Sequence, residues 1–191
     1  ESLLARLARE AIAEMQRAKP LMLSGRFAEI EVRRLLMLVC EWLDQERKRD
    51  SFTVVAIEEK RTLRVADLEF SVRLDRVDEV EGGQRIVIDY KTSKQSIQAF
   101  IGERPDEPQL PLYLTMTEAD QQAADIAFAT VKRGEMGFAA ILNDSDLLPG
   151  GKAFEQINGC KQFSSWAELV AAWRQNLTNL AEGFCSGDAT V

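Results

Sequence analysis

A chain of 191 residues, 46% hydrophobic and 29% charged, has room for one domain with its own core and is too apolar to be disordered. It contains no histidine, which excludes Ser-His-Asp and Cys-His nucleophile pairs, imidazole–zinc sites and a histidine general base within this chain. The net charge of −7 is uneven: residues 1–100 carry 18 basic and 18 acidic side chains, residues 101–191 carry 6 and 13. That balance argues against a broad nucleic-acid surface but leaves space for a local basic track. Cys40, Cys160 and Cys185 are too few and too scattered for a zinc ribbon or a four-cysteine cluster from one copy, and read as reduced, buried thiols of a cytoplasmic protein. In the first half the longest apolar run, residues 35–40, falls well short of the roughly 18 residues that cross a bilayer. The chain opens with Glu1 inside a helical pattern, so a C-terminal piece of a longer polypeptide is expected.

Residues 3–15 place Leu3, Leu4, Leu7, Ala8, Ala11, Ile12 and Met15 at helical spacing, and Lys19-Pro20 ends that segment. A second helix is predicted from Ala28 to about Gln45, followed by Glu46-Arg47-Lys48-Arg49-Asp50 as a solvated helix end and loop. The period then changes to that of strands: 52–57, 62–65 and 68–77, a Glu81-Gly82-Gly83 turn, and 85–90. Ile86, Val87 and Ile88 are consecutive, so this last strand should be covered on both faces and central. A polar loop (92–107), a short helix (108–118), strands at 126–131 and 138–142 and a loop (143–159) follow. Ser165 and Glu168 form a capping box that opens a final helix, with Trp166 and Trp173 on its core or docking face. The fold expected is α/β: helices 1–50, a core 52–142 built on a central mixed sheet flanked by helices, and a helix 163–186, all in one domain 1–191.

Chemistry concentrates beside the glycine turn. A three-residue loop sets Val80 opposite Gln84, and the same count sets Asp75 opposite Asp89 with side chains on one face, roughly 5 Å apart at Cβ. Lys91, two residues on, shares that face. Two close carboxylates repel unless a cation lies between them. A magnesium ion taking one or two carboxylates, water and substrate phosphate suits the position, with the ammonium orienting or deprotonating the attacking water. The commoner alternative is a charged surface hairpin in which Lys91 pairs with an aspartate. Against it, Asp89 directly follows a buried apolar run.

Leu74-Asp75-Arg76-Val77-Asp78, Val87-Ile88-Asp89-Tyr90-Lys91-Thr92 and Gln109-Leu110-Pro111-Leu112-Tyr113 resemble, in order and spacing, the successive motifs of the PD-(D/E)XK nuclease superfamily. The likeness covers residues 52–142 and is nearest to the RecB/AddB-like exonuclease domains of bacterial DNA repair and recombination. It implies a restriction-endonuclease-like core, Asp75 and Asp89 as ligands of Mg2+ or Mn2+, Lys91 as the catalytic lysine, and the Ile88 carbonyl as a further metal contact. Gln109 and Tyr113, one helical turn apart, would contact DNA phosphate or brace the lysine; the alternative is a helix packed through Leu110, Leu112 and Tyr113. Glu58 would support the metal site, or else is an exposed strand end. Arg76, Lys94 and Arg104 are candidate DNA contacts, each also readable as an ordinary surface charge; Arg73 lies near the same motifs.

The branch carries an upstream Gly-x-x-His motif whose histidine completes the metal shell, and this chain has none. Either the motif precedes Glu1 or the site is degenerate; Glu29 and Glu31, as substitutes, read better as solvent-facing. The function expected is a metal-dependent DNA nuclease, an exonuclease working with a helicase-like domain or subunit. The alternative is a catalytically incomplete module that binds DNA or a helicase-like partner. Hydrolysis of RNA or a small phosphodiester is a third reading on the same scaffold.

Overall fold

The computed structural model describes residues 2–20, 23, 25–116, 125–144 and 147–188. Helix α1 (Leu3–Ala18) begins where the Ser2 hydroxyl accepts from the Ala5 N–H at 3.3 Å, and packs beside α2 (Arg26–Glu46). Six strands then form one mixed sheet in chain order: β1 (Phe52–Val65), β2 (Leu68–Val80), β3 (Arg85–Lys91), β4 (Asp125–Thr130), β5 (Gly137–Leu142) and β6 (Lys152–Ala153). Helix α3 (Gln109–Met116) lies between β3 and β4 in sequence; the end of the predicted 108–118 helix falls outside the described residues. The last helix, α4 (Trp166–Ser186), opens on the Ser165 hydroxyl, which accepts from Glu168 N–H at 3.2 Å, while the Glu168 carboxylate accepts from Ser164. It closes at Gly187 in the left-handed conformation, φ 76°, where a side chain would be strained. The two strands predicted at 52–57 and 62–65 are one long edge strand, irregular near Val54 and again at Glu58. The loops expected at 92–107 and 143–159 contain short 3-10 turns at 97–100 and 154–156 and, in the second, β6.

Strand β3 is central, antiparallel to β2 and parallel to β4. Val87 of β3, with Leu63 and Val65 of β1, Val72, Leu74 and Val77 of β2, and Ile126 and Phe128 of β4, faces a core closed by α3 and α4, centred on Leu74, Phe100, Phe128 and Trp173. The Trp173 indole donates to the Phe100 carbonyl at 2.7 Å. Ile86 and Ile88 face the other way, against Trp42 of α2 and Phe138. Both faces of β3 are therefore covered, as its unbroken apolar run requires.

The charge cluster at the end of α2 is solvated only in part: Arg47, Lys48 and Asp50 are exposed, as expected, but two of its members are not. Glu46 and Arg49 are sunk against the sheet: Arg49 Nη1 lies 2.7 Å from Asp78 Oδ2 and 2.8 Å from Glu46 Oε2, its guanidinium over the Phe52 ring. Arg76 closes the set, 2.7 Å from Glu46 and 2.6 Å from Asp78. Of the thiols only Cys160 is buried; Cys40 and Cys185 are exposed, against the expectation of buried cysteines.

Asp125, at the start of β4, is fully buried and accepts from Asn143 N–H at 2.6 Å and Gln84 Nε2 at 3.0 Å. Burial pushes its carboxyl up from 3.8 to about 7, against the pull of those two donors. The native state therefore holds a proton that the unfolded state releases between pH 4 and 7. Its contribution is fully present below pH 4 and is lost as pH rises through about 7, on the order of 4 kcal/mol at most. Asp125→Asn is expected to flatten that part of the stability–pH profile and to be more stable than the parent at pH 8, by denaturant titration at each pH.

Candidate active site

The β2–β3 hairpin sets the geometry. Val80 N–H donates to the Gln84 carbonyl at 2.9 Å, enclosing the three-residue loop, and Gly82 and Gly83 take φ 93° and 83° there, values other side chains rarely adopt. The ladder runs Glu79–Arg85, Asp78–Ile86, Val77–Val87 and Arg76–Ile88. One step beyond, the same register sets Asp75 against Asp89. Here the ladder gives way to a side chain: Asp75 Oδ2 accepts the Tyr90 N–H at 2.8 Å. Asp75 and Asp89 line one cleft of about 620 Å3, together with Arg73, Glu107 and Gln109.

Lys91 reaches back along the same face. Its Nζ lies 3.1 Å from Asp89 Oδ2 and 3.1 Å from Glu107 Oε2. Burial pushes the Asp89 carboxyl above its ordinary value, Lys91 opposes the rise, and the charges of Asp75 and Glu107 add to it. Burial alone would lower Lys91, but hydrogen bonds to Glu107 and Asp89 outweigh it and hold the ammonium above its ordinary value. Lys91 is therefore held between two carboxylates that favour its charged form.

Glu107 was invisible in the sequence, where it is one more acidic residue of a polar loop. Its signal was position: it directly precedes Pro108, the residue before α3. Gln109, the first residue of that helix, donates through Nε2 to the Arg73 carbonyl at 2.6 Å and so ties α3 to the cleft wall.

Other sequence candidates lie elsewhere. Tyr113 is buried in the core, its ring beneath Arg61, and does not line the cleft. Helix α3 is short and covered on nearly all sides, so residues one turn apart need not share an exposed stripe. Arg76 is not a DNA-facing side chain: it points to the α2 face, where it pairs with Glu46 and Asp78 and donates to the Tyr90 hydroxyl at 2.9 Å. The hairpin register explains this, because Arg76 pairs with Ile88, whose side chain faces α2. The same register removes the Ile88 carbonyl. Gln84 and Tyr90 direct their backbone groups toward β2, so Ile88 does too, and its carbonyl is spent within the ladder against Arg76. On that side Tyr90 is the first β3 residue beyond the last pair.

Glu58 pairs with Arg73 at 3.1 Å, both side chains exposed, and takes φ 50° where β1 skips its partner opposite Asp75. A left-handed non-glycine residue costs on the order of 1 kcal/mol, and the register is the same on both sides of it, Ile57 with Arg76 and Glu59 with Leu74. Lys94 and Arg104 are exposed on the loops after β3 and before α3. Glu29 is exposed on α2, beside α1, and Glu31 pairs with Arg34.

The carboxylates suit a hard divalent cation. Asp89 Oδ2 is buried and, although 3.1 Å from the ammonium, lacks a hydrogen bond of good geometry. Asp75 uses one oxygen on Tyr90, leaving the other for a ligand. Among the described residues no three acidic, cysteine or histidine side chains form a ready-made ligand set. The protein thus offers two carboxylates and leaves the remaining positions to water and substrate, the balance magnesium favours.

No curated protein matches this sequence. Among solved structures, the crystal structure of SSO0001 aligns with 96% of this chain and 72% of that chain, at 14% identity and a TM-score of 0.35, too low to carry an argument. The family model of the PD-(D/E)XK nuclease superfamily matches residues 1–189, essentially the whole chain. The mixed six-stranded sheet flanked by helices is consistent with that superfamily's restriction-endonuclease-like fold. The chain belongs to the PD-(D/E)XK nuclease superfamily.

Proposed function

We propose that this protein hydrolyses DNA phosphodiester bonds, with Mg2+ or Mn2+ held by Asp75 and Asp89 and with Lys91 as the catalytic cation. The observation that carries the reading is the pair of carboxylates that line one cleft, Asp75 from the middle of β2 and Asp89 near the end of β3, the second buried and under-satisfied with an ammonium beside it. Members of the superfamily generally use divalent ions. Such an ion lowers the pKa of a bound water and stabilises charge growing on phosphate. The chain's own part is positional. Asp75 is oriented by the Tyr90 N–H, Asp89 by burial, and Lys91 by Asp89 and Glu107, so the ammonium stands where a phosphate oxygen or the leaving group needs positive charge or a proton. Gln109 supports the cleft wall through Arg73, whose exposed guanidinium is placed to meet substrate phosphate. Lys94 and Arg104 stand on flanking loops as further phosphate contacts. The exonuclease mode, the role in repair or recombination and a helicase-like partner rest on the RecB/AddB-like motifs alone.

The second reading, a nuclease-fold module without catalysis, is favoured by the absence of a third protein ligand among the described residues. Metal titration separates the two. Calorimetry with Mg2+ and Mn2+ is expected to register binding that Asp75→Asn removes, and chelation is expected to stop cleavage of single- and double-stranded DNA in the parent. Metal binding without cleavage, or neither, would support the module.

A further inference from the structure

A second concavity adjoins the cleft. It is a trough of about 820 Å3 between the C-terminal half of α4, the start of β2 and the loop 104–108. Phe70, Pro108 and Leu112 line both it and the catalytic cleft. Its far side is apolar and open: Leu180 is 37% and Phe184 75% exposed, and Phe70, on the shared wall, is 36% exposed. Arg104 stands among its lining residues. Nothing in the cleavage chemistry uses this surface.

We infer that the trough is a stacking subsite for unpaired nucleobases of the strand whose phosphate lies at Asp75 and Asp89; the inference rests on the nuclease reading above. Continuity selects the occupant. A strand seated in the cleft must run on past Phe70 and Pro108, and on that side it meets the trough. Bases leave water favourably onto exposed aromatic faces, with little dependence on sequence, because every base has a π-face. A duplex hides those faces within its own stack, so only an unpaired strand can use the trough. The charge pattern agrees: residues 101–191 are acidic overall and would repel the dense phosphates of a duplex, whereas an apolar trough takes bases inward and turns phosphates out, toward Arg104.

The test is binding, measured in Asp89→Asn so that cleavage does not intervene. Fluorescence anisotropy compares a long oligothymidylate, a short one that spans only the cleft, and a blunt duplex. Phe184→Ala is expected to weaken the long single strand about tenfold, and to leave the short strand and the duplex as they were. Phe184→Tyr should retain affinity and Phe184→Leu should not, because a ring is required and not merely an apolar side chain. Arg104→Gln should lower the slope of log affinity against log salt by about 0.7, one phosphate on a single strand. Phe184 is largely exposed, so these variants are expected to melt with the parent.

Unchanged affinity of Phe184→Ala for the long strand, or an equal loss on the duplex, overturns the assignment. So does a shift from dimer to monomer in Phe184→Ala without a change in DNA binding, which would make the trough a contact between copies of this chain. If parental protein fails to cleave but the Phe184-dependent strand binding is found, the catalytic reading falls and the subsite stands. If it cleaves and Phe184 makes no difference, the subsite alone falls.

Discussion

Lys91→Ala and Asp89→Asn are each expected to lower DNA cleavage by roughly 10^3-fold, about 4 kcal/mol of transition-state stabilisation. The two losses should differ in kind. Asp89→Asn removes a carboxylate that would hold the metal, so metal affinity measured by calorimetry should fall with activity. Lys91→Ala should leave metal binding in place, because the ammonium competes with the ion for Asp89 Oδ2. Two carboxylates, each 3.1 Å from its Nζ, hold the Lys91 ammonium, and the proposal is that it supplies positive charge. Lys91→Arg keeps the charge and should recover part of the lost rate, whereas a lysine acting as general base would give no such recovery. Glu107→Gln should lower the rate less than Lys91→Ala, since Asp89 still orients the ammonium. Full activity in Asp89→Asn or Lys91→Ala would remove the site assignment.

Asp78→Ala is expected to cost about 3–5 kcal/mol of stability, the usual result of stripping one partner from a buried ion pair. Asp78 is fully buried and accepts from both Arg49 and Arg76, while Glu46 contacts the same two guanidiniums from α2. Two cations and two anions alternate; without Asp78, one carboxylate is left for two buried cations. Arg49 already has two guanidinium nitrogens without a hydrogen bond and relies on the Phe52 ring for the rest of its environment. The measurement is equilibrium unfolding in urea. The exposed pair Glu58–Arg73 is the control: removing it should change stability by less than about 1 kcal/mol.

These four residues also mark where reading from sequence stopped. Glu46 to Asp50 has the composition of a solvated helix end, and composition cannot tell that a strand thirty residues later supplies Asp78 and Arg76 to meet it. Arg76 was a candidate DNA contact because it sits in a motif, yet the register that sets Asp75 against Asp89 already pairs Arg76 with Ile88, whose side chain faces α2. Tyr113 failed for a different reason. The i, i+4 spacing puts Gln109 and Tyr113 on one side of a helix, but a helix of eight residues covered on nearly all sides has no single solvent face.

Local chemistry settled the hairpin register without help from the rest of the chain. Two adjacent glycines allow a tight three-residue loop, and a pleat of period two then dictates that Asp75, Asp89 and Lys91 share a face. The same locality fixed the ends of α4 and the central place of β3. What the chain's linear order did not contain was which distant groups approach that face. Glu107 on Lys91, the turning-in of Glu46 and Arg49, the burial that raises Asp125, and the trough beside the cleft all arise where separate elements pack. Their energies depend on desolvation and on partners far apart in sequence, and those quantities exist only once the sheet and helices have closed around one another.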